Sequence, residues 1–302
     1  MPSRTSSDLS DEESGYATHD KATRLVSLLL SLYQARPLLD SRTSASARSS
    51  PDLGITLETV QLDRDGVHFS VGFVSWTQLQ KIAHEERKVY LVEDGEIHAV
   101  QVFSETTGWV RSLCPTSGAP TVLVSGIPMH RIKDTDPLQD TREKMRAFGV
   151  VEGRVLDTAT GAGYTAIAAA QVASDVVTIE LDPAAIQLAR YNPYAAELFT
   201  RSNIRQVIGD AADEIPNFEI GSFAGVIHDP PTMSLGGDLY SEDFYRQLHR
   251  ILKRGGRLFH YISDPDSHLG KKLWPGVIKR LGQAGFKRVE RHPAAYGVSA
   301  VA

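Results

Sequence analysis

The sequence predicts an α/β protein in which a small β-rich part precedes a mostly parallel sheet that ends in an antiparallel hairpin. Short alternating apolar segments follow one another between residues 55 and 128, a pattern typical of strands joined by turns. From residue 141 onward, strand-like and helix-like segments alternate, which indicates a parallel sheet with crossover helices. Two strand-like segments with no helix between them, 287–291 and 296–302, come last and predict the hairpin.

The composition is that of an ordinary globular protein. The 302 residues are 41% apolar and 23% charged, and the formal net charge is −5. This charge disfavours a protein that mainly grips a phosphate backbone. Cys114 is the single cysteine, which excludes an intramolecular disulfide and a cysteine-cluster zinc site. No apolar run approaches the roughly 18 residues that span a bilayer, and we expect neither a membrane span nor a metal.

The first part of the chain is polar. Residues 1–20 are rich in serine and acidic residues, so we expect a disordered tail rather than a secretory signal or a transit peptide. This favours a cytoplasmic location. Apolar positions at helical spacing predict a helix from Lys21 to Leu39, and the low-complexity stretch 41–51 predicts a surface loop.

Residues 21–130 are predicted to form a small, mainly β domain. Asp94-Gly95 and Ser125-Gly126 mark turns between strand-like segments, and one helix is expected near 75–86. The predicted strands are 67–73, 89–92, 96–103, 109–113 and 121–124.

Residues 131–302 are predicted to form a second domain, built on the parallel sheet. Its first helix is expected over 141–148. The predicted strands are 154–157, 176–180, 205–208, 224–228 and 257–262, and the helices between them are 164–173, 183–199, 241–252 and 271–284.

A glycine-rich turn follows the first strand of the second domain. The segment Val155-Leu-Asp-Thr-Ala-Thr-Gly-Ala-Gly163 leads from a buried strand, through an acid and two glycines, into a helix. Glycine lets the backbone approach a ligand closely and adopt positive φ. Gly161 and Gly163, with Ala166 three residues on, also fit the dinucleotide-binding fingerprint. The neighbouring acids are therefore needed to separate the nucleotide classes.

Three successive strands end in an acid. Asp157 lies four residues before the first glycine, where its carboxylate would accept from an ammonium group and would repel a pyrophosphate. Glu180 lies 17 residues after the second glycine, at the position where an acid takes both hydroxyls of a ribose. Asp210, which is followed by Ala211, would accept from the exocyclic amine of adenine. Together the acids predict an adenosine ligand with a cationic tail.

The fourth strand ends in His228-Asp229-Pro230-Pro231. The two prolines restrict the backbone, so Asp229 is expected to be held rigidly at the carboxyl edge of the sheet, where open α/β sheets bind ligands. We predict that Asp229 orients the acceptor substrate. His228 is the second catalytic candidate, although a single histidine on a strand is more often packed than a base. Tyr240 is expected to line a substrate pocket together with Pro230 and Pro231.

In order and spacing, these segments resemble the successive motifs of class I S-adenosylmethionine-dependent methyltransferases. The resemblance covers about residues 140–302 and implies a Rossmann-like fold with S-adenosyl-L-methionine as cofactor. The stretches 239–245 and 252–256 and the order of the two domains are similar to spermidine synthases, and most of all to a family of predicted methyltransferases known in archaea. The cofactor-binding residues that the resemblance implies are Asp157, Gly161, Gly163, Glu180, Asp210 and Ala211.

Two departures from these families narrow the prediction. Asp229-Pro-Pro is followed by Thr232 and Met233, not by the aromatic residue usual in enzymes that methylate planar nitrogens. Asp-Thr-Ala-Thr-Gly-Ala-Gly stands where spermidine synthases have a Gly-Gly-Gly-Asp run, which favours intact over decarboxylated S-adenosylmethionine. We therefore predict methyl transfer to a nitrogen of a small-molecule acceptor.

Three alternatives stay open at this point. An aminopropyltransferase would share the fold and use Asp210 and Asp229 to bind a polyamine. A nucleic-acid base methyltransferase would need a basic stripe beside the site, and the basic residues between Arg131 and Arg146 alternate with acids. A non-catalytic adenosine-binding module is disfavoured by the Asp-Pro-Pro edge. The sequence leaves open whether the protein is a homodimer.

Overall fold

The computed structural model of the protein describes residues 27–233 and 236–302. The predicted tail, residues 1–20, lies outside this part of the chain. Among the described residues, no helix combines the length and the apolar character that crossing a bilayer requires. Nor do the described residues place three or more His, Cys, Asp or Glu side chains in a group that could hold a metal ion.

The N-terminal part consists of short antiparallel strands and two helices. Its elements are β1 (Leu28–Leu30), α1 (Leu32–Asp40), β2 (Ser46–Ser49), β3 (Glu58–Leu62), β4 (Gly66–Phe69), β5 (Gly72–Ser75), α2 (Trp76–His84), β6 (Tyr90–Glu93), β7 (Glu96–Ala99), β8 (Gln101–Phe103), β9 (Val110–Cys114), β10 (Thr121–Val124) and β11 (Ile127–Pro128). They form three sheets, with strand orders β1-β6-β7, β2-β3-β4-β5 and β11-β10-β9-β8. Each helix begins after a serine that forms a capping box with the glutamine three residues on. The side chain of Ser31 accepts from the N–H of Tyr33, and that of Ser75 accepts from the N–H of Gln78.

Helices and strands of one large sheet make up the rest of the chain. They are α3 (Pro137–Phe148), β12 (Arg154–Asp157), α4 (Tyr164–Ala169), β13 (Asp175–Glu180), α5 (Pro183–Arg190), α6 (Ala196–Thr200), β14 (Ile204–Ile208), α7 (Ala211–Glu214), β15 (Phe223–His228), α8 (Glu242–Ile251), β16 (Leu252–Tyr261), α9 (His268–Gln283), β17 (Lys287–His292) and β18 (Gly297–Val301).

The strands of the large sheet have the order β14-β13-β12-β15-β16-β18-β17. Strands β12 to β16 pair in parallel, whereas β18 runs antiparallel to both β16 and β17. The predicted Rossmann-like α/β fold with a terminal antiparallel hairpin is therefore confirmed. The chain changes direction across the sheet between β12 and β15, and open parallel sheets bind ligands at such a switch point, outside the carboxyl ends of the strands.

Both faces of the large sheet are covered by helices. Val226 and Leu258 pack with the apolar residues of α8 and α9, including Leu248. On the other face, Val155 and Ile227 pack with residues of α3 and α4. Because neighbouring positions of one strand point to opposite covered faces, the strands are apolar along their length instead of alternating.

The N-terminal end of the fold differs from the prediction. Of the helix predicted from Lys21 to Leu39, only the part from Leu32 onward is helical, because Leu28–Leu30 form β1 and α1 begins after the Ser31 cap. The three leucines are buried and pair with β6, and this packing outweighs their helical spacing. Pro37 lies inside α1 rather than at its end. The predicted loop 41–51 contains β2.

One helix of the second part also differs from the prediction. The predicted helix 183–199 stops at Arg190 and resumes as α6 at Ala196. Asn192 caps a short turn that begins at Pro193, and proline has no N–H to continue the preceding helix. The break brings Asn192 to Tyr164, whose hydroxyl accepts from its amide at 2.8 Å.

The N-terminal sheets contact the helices of the large sheet. The Tyr164 hydroxyl donates to the Pro120 carbonyl at 2.7 Å, and the Tyr194 hydroxyl donates to the Leu53 carbonyl at 3.3 Å. We propose that the domain boundary lies near residue 130, because β11 ends at Pro128 before the chain enters α3.

Candidate functional site

The candidate site lies at the carboxyl ends of four parallel strands. In the register of the sheet, Asp157 stands beside Thr178 of β13 on one side and Ile227 of β15 on the other. Glu180 ends β13 beside Ile208 of β14. Because these strands are parallel, the residues that end or follow them meet at one edge.

The two glycines of the turn after β12 have different roles. Gly163 has φ +82°, and a Cβ there would lie 2.8 Å from Leu198 Cδ2, so only glycine fits without a shift. Gly161 has φ +51°, and no described atom lies within 4 Å of where its Cβ would be. The backbone at Gly161 therefore borders open space, in which a ligand can approach it closely.

Glu180 connects the first two loops of this edge. Its Oε2 accepts from the N–H of Gly161 at 2.9 Å, and its Oε1 accepts from the N–H of Asp182 at 3.0 Å. Burial raises the pKa of Glu180, although these two donors act in the opposite direction. Each oxygen retains a second lone pair, so the carboxylate is fixed in orientation and can still accept from a ligand.

Asp157 is completely buried at the end of β12. Its Oδ2 accepts from the hydroxyls of Thr178 at 2.9 Å and Thr165 at 3.2 Å, whereas Oδ1 has no hydrogen-bond partner among the described residues. Burial raises the pKa of Asp157 to about 7, against the lowering effect of the Thr178 hydrogen bond. An unpaired buried carboxylate oxygen is costly. A cationic ligand at this place would remove that cost, so the site fits an adenosine with a cationic tail.

Asp210 lies on the same edge and caps α7. Its Oδ1 accepts from the N–H of Ala212 at 2.8 Å, and the residue is exposed while Ala211 is buried. The cap uses one acceptor position of the carboxylate and leaves others available to a ligand.

Asp229 follows β15 and pairs with a buried lysine. The ammonium of Lys144, in α3, donates to Asp229 Oδ2 at 2.6 Å. Lys144 is 3% exposed and Asp229 18%, so the carboxylate reaches the surface of the site while its partner lies behind it. Burial raises the pKa of Asp229, and the charge of Lys144 opposes this rise.

The ion pair belongs to a longer alternating row of charges. Lys144 also lies 3.0 Å from Asp140 Oδ2, and Asp140 accepts from Nε of Arg131. Two aromatic rings accompany the cations: Lys144 Nζ lies 4.7 Å from the ring centre of Tyr261, and Arg131 lies 4.2 Å from that of Tyr296. The row thus carries two positive and two negative charges, and its two ends, Arg131 and Asp229, are partly exposed while Asp140 and Lys144 between them are buried.

His228 is buried behind Asp229. Its Nε2 lies 2.9 Å from the Leu239 carbonyl and its Nδ1 lies 2.7 Å from the Thr158 hydroxyl. A carbonyl only accepts, so Nε2 carries the proton and Nδ1 accepts from Thr158. Burial lowers the pKa of His228 to about 4, and the ring is neutral with both nitrogens engaged.

Tyr240 contacts the Asp-Pro-Pro turn from the side of the protein core. This side chain is 1% exposed, and its hydroxyl donates to the Pro231 carbonyl at 3.1 Å. Pro230 is buried and Pro231 is partly exposed. The structure therefore places Tyr240 in the core under the turn, whereas Pro231 lies at the border of the site.

The site residues predicted from the sequence do not include Arg131, Asp140 and Lys144, which lie behind the site. A signal was present, because Asp140 and Lys144 lie at helical spacing with Pro137, Thr141 and Phe148, all buried in α3. A lysine and an aspartate on the buried stripe of a helix require partners. Those partners, however, come from other elements.

A cavity of about 500 Å³ lies away from this edge. Its walls come from α3, α4 and the 149–151 loop, and include Val155 near the start of β12. Because it lies at the opposite end of β12 from Asp157 and has an apolar lining, we do not assign the chemistry to it.

Three comparisons with known proteins agree with this geometry. A family model described as a methyltransferase domain matches residues 155–256. The chain is 44% identical over 248 residues to the uncharacterised protein MJ1233 of Methanocaldococcus jannaschii. The aligned region covers 81% of this chain and 84% of that protein. A crystal structure of a spermidine synthase with the transition-state analogue AdoDATO has a TM-score of 0.55 at 19% identity, covering 67% of this chain and 72% of that chain. For spermidine synthase from Thermotoga maritima the TM-score is 0.53 at 18% identity, with the same coverage.

Proposed function

Because the chain belongs to the class I S-adenosylmethionine-dependent methyltransferases, in one family with the protein MJ1233 of Methanocaldococcus jannaschii, we propose that it methylates a nitrogen atom of a small-molecule acceptor. The observation that carries the proposal is the position of Asp229. It is partly exposed at the switch point of the sheet, next to the strand that ends in Asp157, one of whose carboxylate oxygens has no hydrogen-bond partner in the described part of the chain.

The residues of the edge would hold the cofactor. Asp157 would accept from the ammonium of its amino-acid part, Glu180 would take the ribose hydroxyls, and Asp210 with Ala211 would receive the adenine. The open backbone at Gly161 and the fixed turn at Gly163 would allow the close approach. When bound, S-adenosylmethionine supplies a methyl group on a sulfonium, which is already electrophilic.

Asp229 would orient the acceptor and accept the proton that its nitrogen loses. Positioning and one proton transfer are what the protein has to contribute, since the donor is reactive by itself. A carboxylate tolerates a cationic amine better than a neutral hydroxyl, which favours nitrogen over oxygen. The ring of His228 is neutral and both of its nitrogens are hydrogen-bonded, which suits a packing role behind Asp229. Pro230, Pro231 and Tyr240 would keep the turn rigid at the acceptor side of the site.

The second candidate is an aminopropyltransferase, which the structural likeness to spermidine synthases favours. In that case, a polyamine would bind along Asp229. The cofactor loop argues against it, because Asp-Thr-Ala-Thr-Gly-Ala-Gly stands where spermidine synthases have a Gly-Gly-Gly-Asp run.

One experiment separates the two candidates. The purified full chain is incubated with S-adenosylmethionine or its decarboxylated form and a panel of small amines, polyamines, nucleosides and peptides, and products are identified by mass spectrometry. We expect S-adenosylhomocysteine and an acceptor that carries one additional methyl group on nitrogen. Transfer from the decarboxylated form alone, with methylthioadenosine as by-product, would establish the aminopropyltransferase instead.

A further inference from the structure

Asp182 links Glu180 to the rest of the molecule. It caps α5 through Oδ1, which accepts from the N–H of Ala184 at 2.9 Å, and its own N–H donates to Glu180 Oε1 at 3.0 Å. Its side chain is 1% exposed. The orientation of the Glu180 carboxylate therefore depends on how Asp182 is held.

Asp182 is held by the N-terminal part of the chain. Its Oδ2 accepts from Nε of Arg111 in β9 and, at 3.4 Å, from the hydroxyl of Thr107. The Arg111 side chain is 13% exposed, so this is a largely buried ion pair. If one partner of such a pair is removed, the charge of the other partner stays buried without compensation.

The charge of Arg111 acts on both carboxylates. Burial raises the pKa of Glu180 and the neighbouring charge of Asp182 adds to this, while Arg111 lowers it. Burial also opposes the ionisation of Asp182, but hydrogen bonds from Ser104 and Arg111 keep its pKa below the usual value. The charge of Arg111, which belongs to a different sheet, thus favours the ionised form of both Glu180 and Asp182.

We infer that Arg111 is a positioning residue of the S-adenosylmethionine site, which fixes Glu180 through Asp182, and that the sheet β8–β11 is therefore part of that site. The inference rests on the proposed function, in which Glu180 takes the ribose. Arg111 acts through Asp182 and requires no contact with the cofactor.

The test is calorimetric titration of the full chain with S-adenosylmethionine. Arg111→Met and Arg111→Gln remove the charge, and Arg87→Met serves as the matched control, because Arg87 is an exposed arginine of the same part that donates to the Gly126 carbonyl instead. We expect at least tenfold weaker binding by both Arg111 variants and an unchanged affinity for the control. In a Glu180→Gln background, Arg111→Gln should change the affinity by less than twofold, since the route through Glu180 is already lost.

Binding within twofold of wild type by the folded Arg111 variants would overturn the inference, and so would an equal loss with and without Glu180→Gln. If these variants do not fold, hydrogen exchange of the wild type carries the test. Added S-adenosylmethionine should then slow exchange in peptides 104–111 and 180–184, and protection confined to 157–163 would contradict the inference. A wild type that does not bind S-adenosylmethionine contradicts the proposed function itself, which separates the two failures.

Discussion

The ammonium of Lys144 lies 2.6 Å from Oδ2 of Asp229, although 85 positions separate the two residues in the chain. Burial lowers the pKa of Lys144, but the charges of Asp229 and Asp140 outweigh this effect and raise it above its usual value. Lys144 is thus a permanent cation behind the site. It fixes the position of one carboxylate oxygen of Asp229, Oδ2.

Replacement of Lys144 by methionine should destabilise the fold strongly. The variant leaves the buried Asp140 and the partly buried Asp229 with one cation fewer, and breaking a buried ion pair in this way costs about 3–5 kcal/mol. Urea denaturation measures the loss. Lys88→Met is the control: Lys88 pairs with Glu85 at 3.1 Å on the surface, and such pairs contribute less than about 1 kcal/mol.

A double variant checks the cause of this loss. Lys144→Met combined with Asp229→Asn removes both charges of the pair, so part of the lost stability should return. A single Lys144→Met variant as stable as the wild type would show that the ion pair contributes nothing to the fold.

Glu180→Ala should weaken the binding of S-adenosylmethionine. Loss of hydrogen bonds to a charged group costs about 1.5–3 kcal/mol, and calorimetry measures it directly. The exposed Glu219 provides the control, Glu219→Ala, with unchanged affinity expected. Equal affinity of the wild type and Glu180→Ala would contradict the ribose assignment, as would tighter binding of NAD by the wild type.

The glycines of the first loop should respond differently to alanine. Gly163→Ala meets Leu198 and a φ of +82°, so we expect a stability loss of about 1–3 kcal/mol. Gly161→Ala adds a methyl group in open space at φ +51° and should cost about 1 kcal/mol. The same methyl group occupies the space beside the backbone where a ligand approaches, and cofactor affinity should fall at least tenfold. Melting curves and calorimetry on both variants separate the two effects, and the reverse order would show that the loop is misassigned.

The parallel sheet and its edge could be predicted from the sequence because their signals are local. Asp157 and Glu180 end apolar strands, and Asp229 precedes two prolines, so their meeting at one edge follows from strand direction. The pairing of Lys144 with Asp229 depends on how α3 packs against β16 and β18 of the sheet, which no local pattern specifies. Arg111 is missed for the same reason.

Short apolar segments show a second limit. The pattern of Leu28–Leu30 fits a buried strand and a helix equally well. These residues form a strand because they pair with β6, which lies about 60 residues further along the chain. The rings of His228 and His260, whose centres lie 4.4 Å apart at an interplanar angle of 45°, are likewise placed together by the register of β15 and β16. Sequence spacing alone contains no information on this register.

The raised pKa of Asp157 should make cofactor binding depend on pH if this residue holds the cationic part of the ligand. With a pKa of about 7 in the folded protein, against 3.8 ordinarily, this carboxyl keeps its proton in the fold at pH values where the unfolded chain has lost it, so the stability of the fold decreases as the pH rises from 3.8 to about 7. A bound cation favours the ionised form, so affinity for S-adenosylmethionine should rise by up to about tenfold per pH unit below pH 7. Calorimetry between about pH 5.5 and 7.5 measures the slope. Asp157→Asn should flatten it and Asp65→Asn, at an exposed acid between β3 and β4, should not. A wild-type affinity that is constant over this range would exclude Asp157 from the cation site.

Replacement of Asp229 tests the transfer step itself, on the acceptor that the product screen identifies. Asp229→Ala should lower turnover by about 10²–10⁴, the usual effect of losing a positioned proton acceptor, while affinity for S-adenosylmethionine stays within a few fold. Asp229→Asn distinguishes two roles. The amide keeps one acceptor oxygen, so much of the activity should survive if Asp229 only orients the acceptor, and little should survive if it takes the proton or holds a cation. Because Lys144 loses a partner in both variants, their stability has to be compared by urea denaturation, and turnover is measured where both are folded. Full turnover by Asp229→Ala would remove this residue from the mechanism and leave Asp-Pro-Pro as a structural turn.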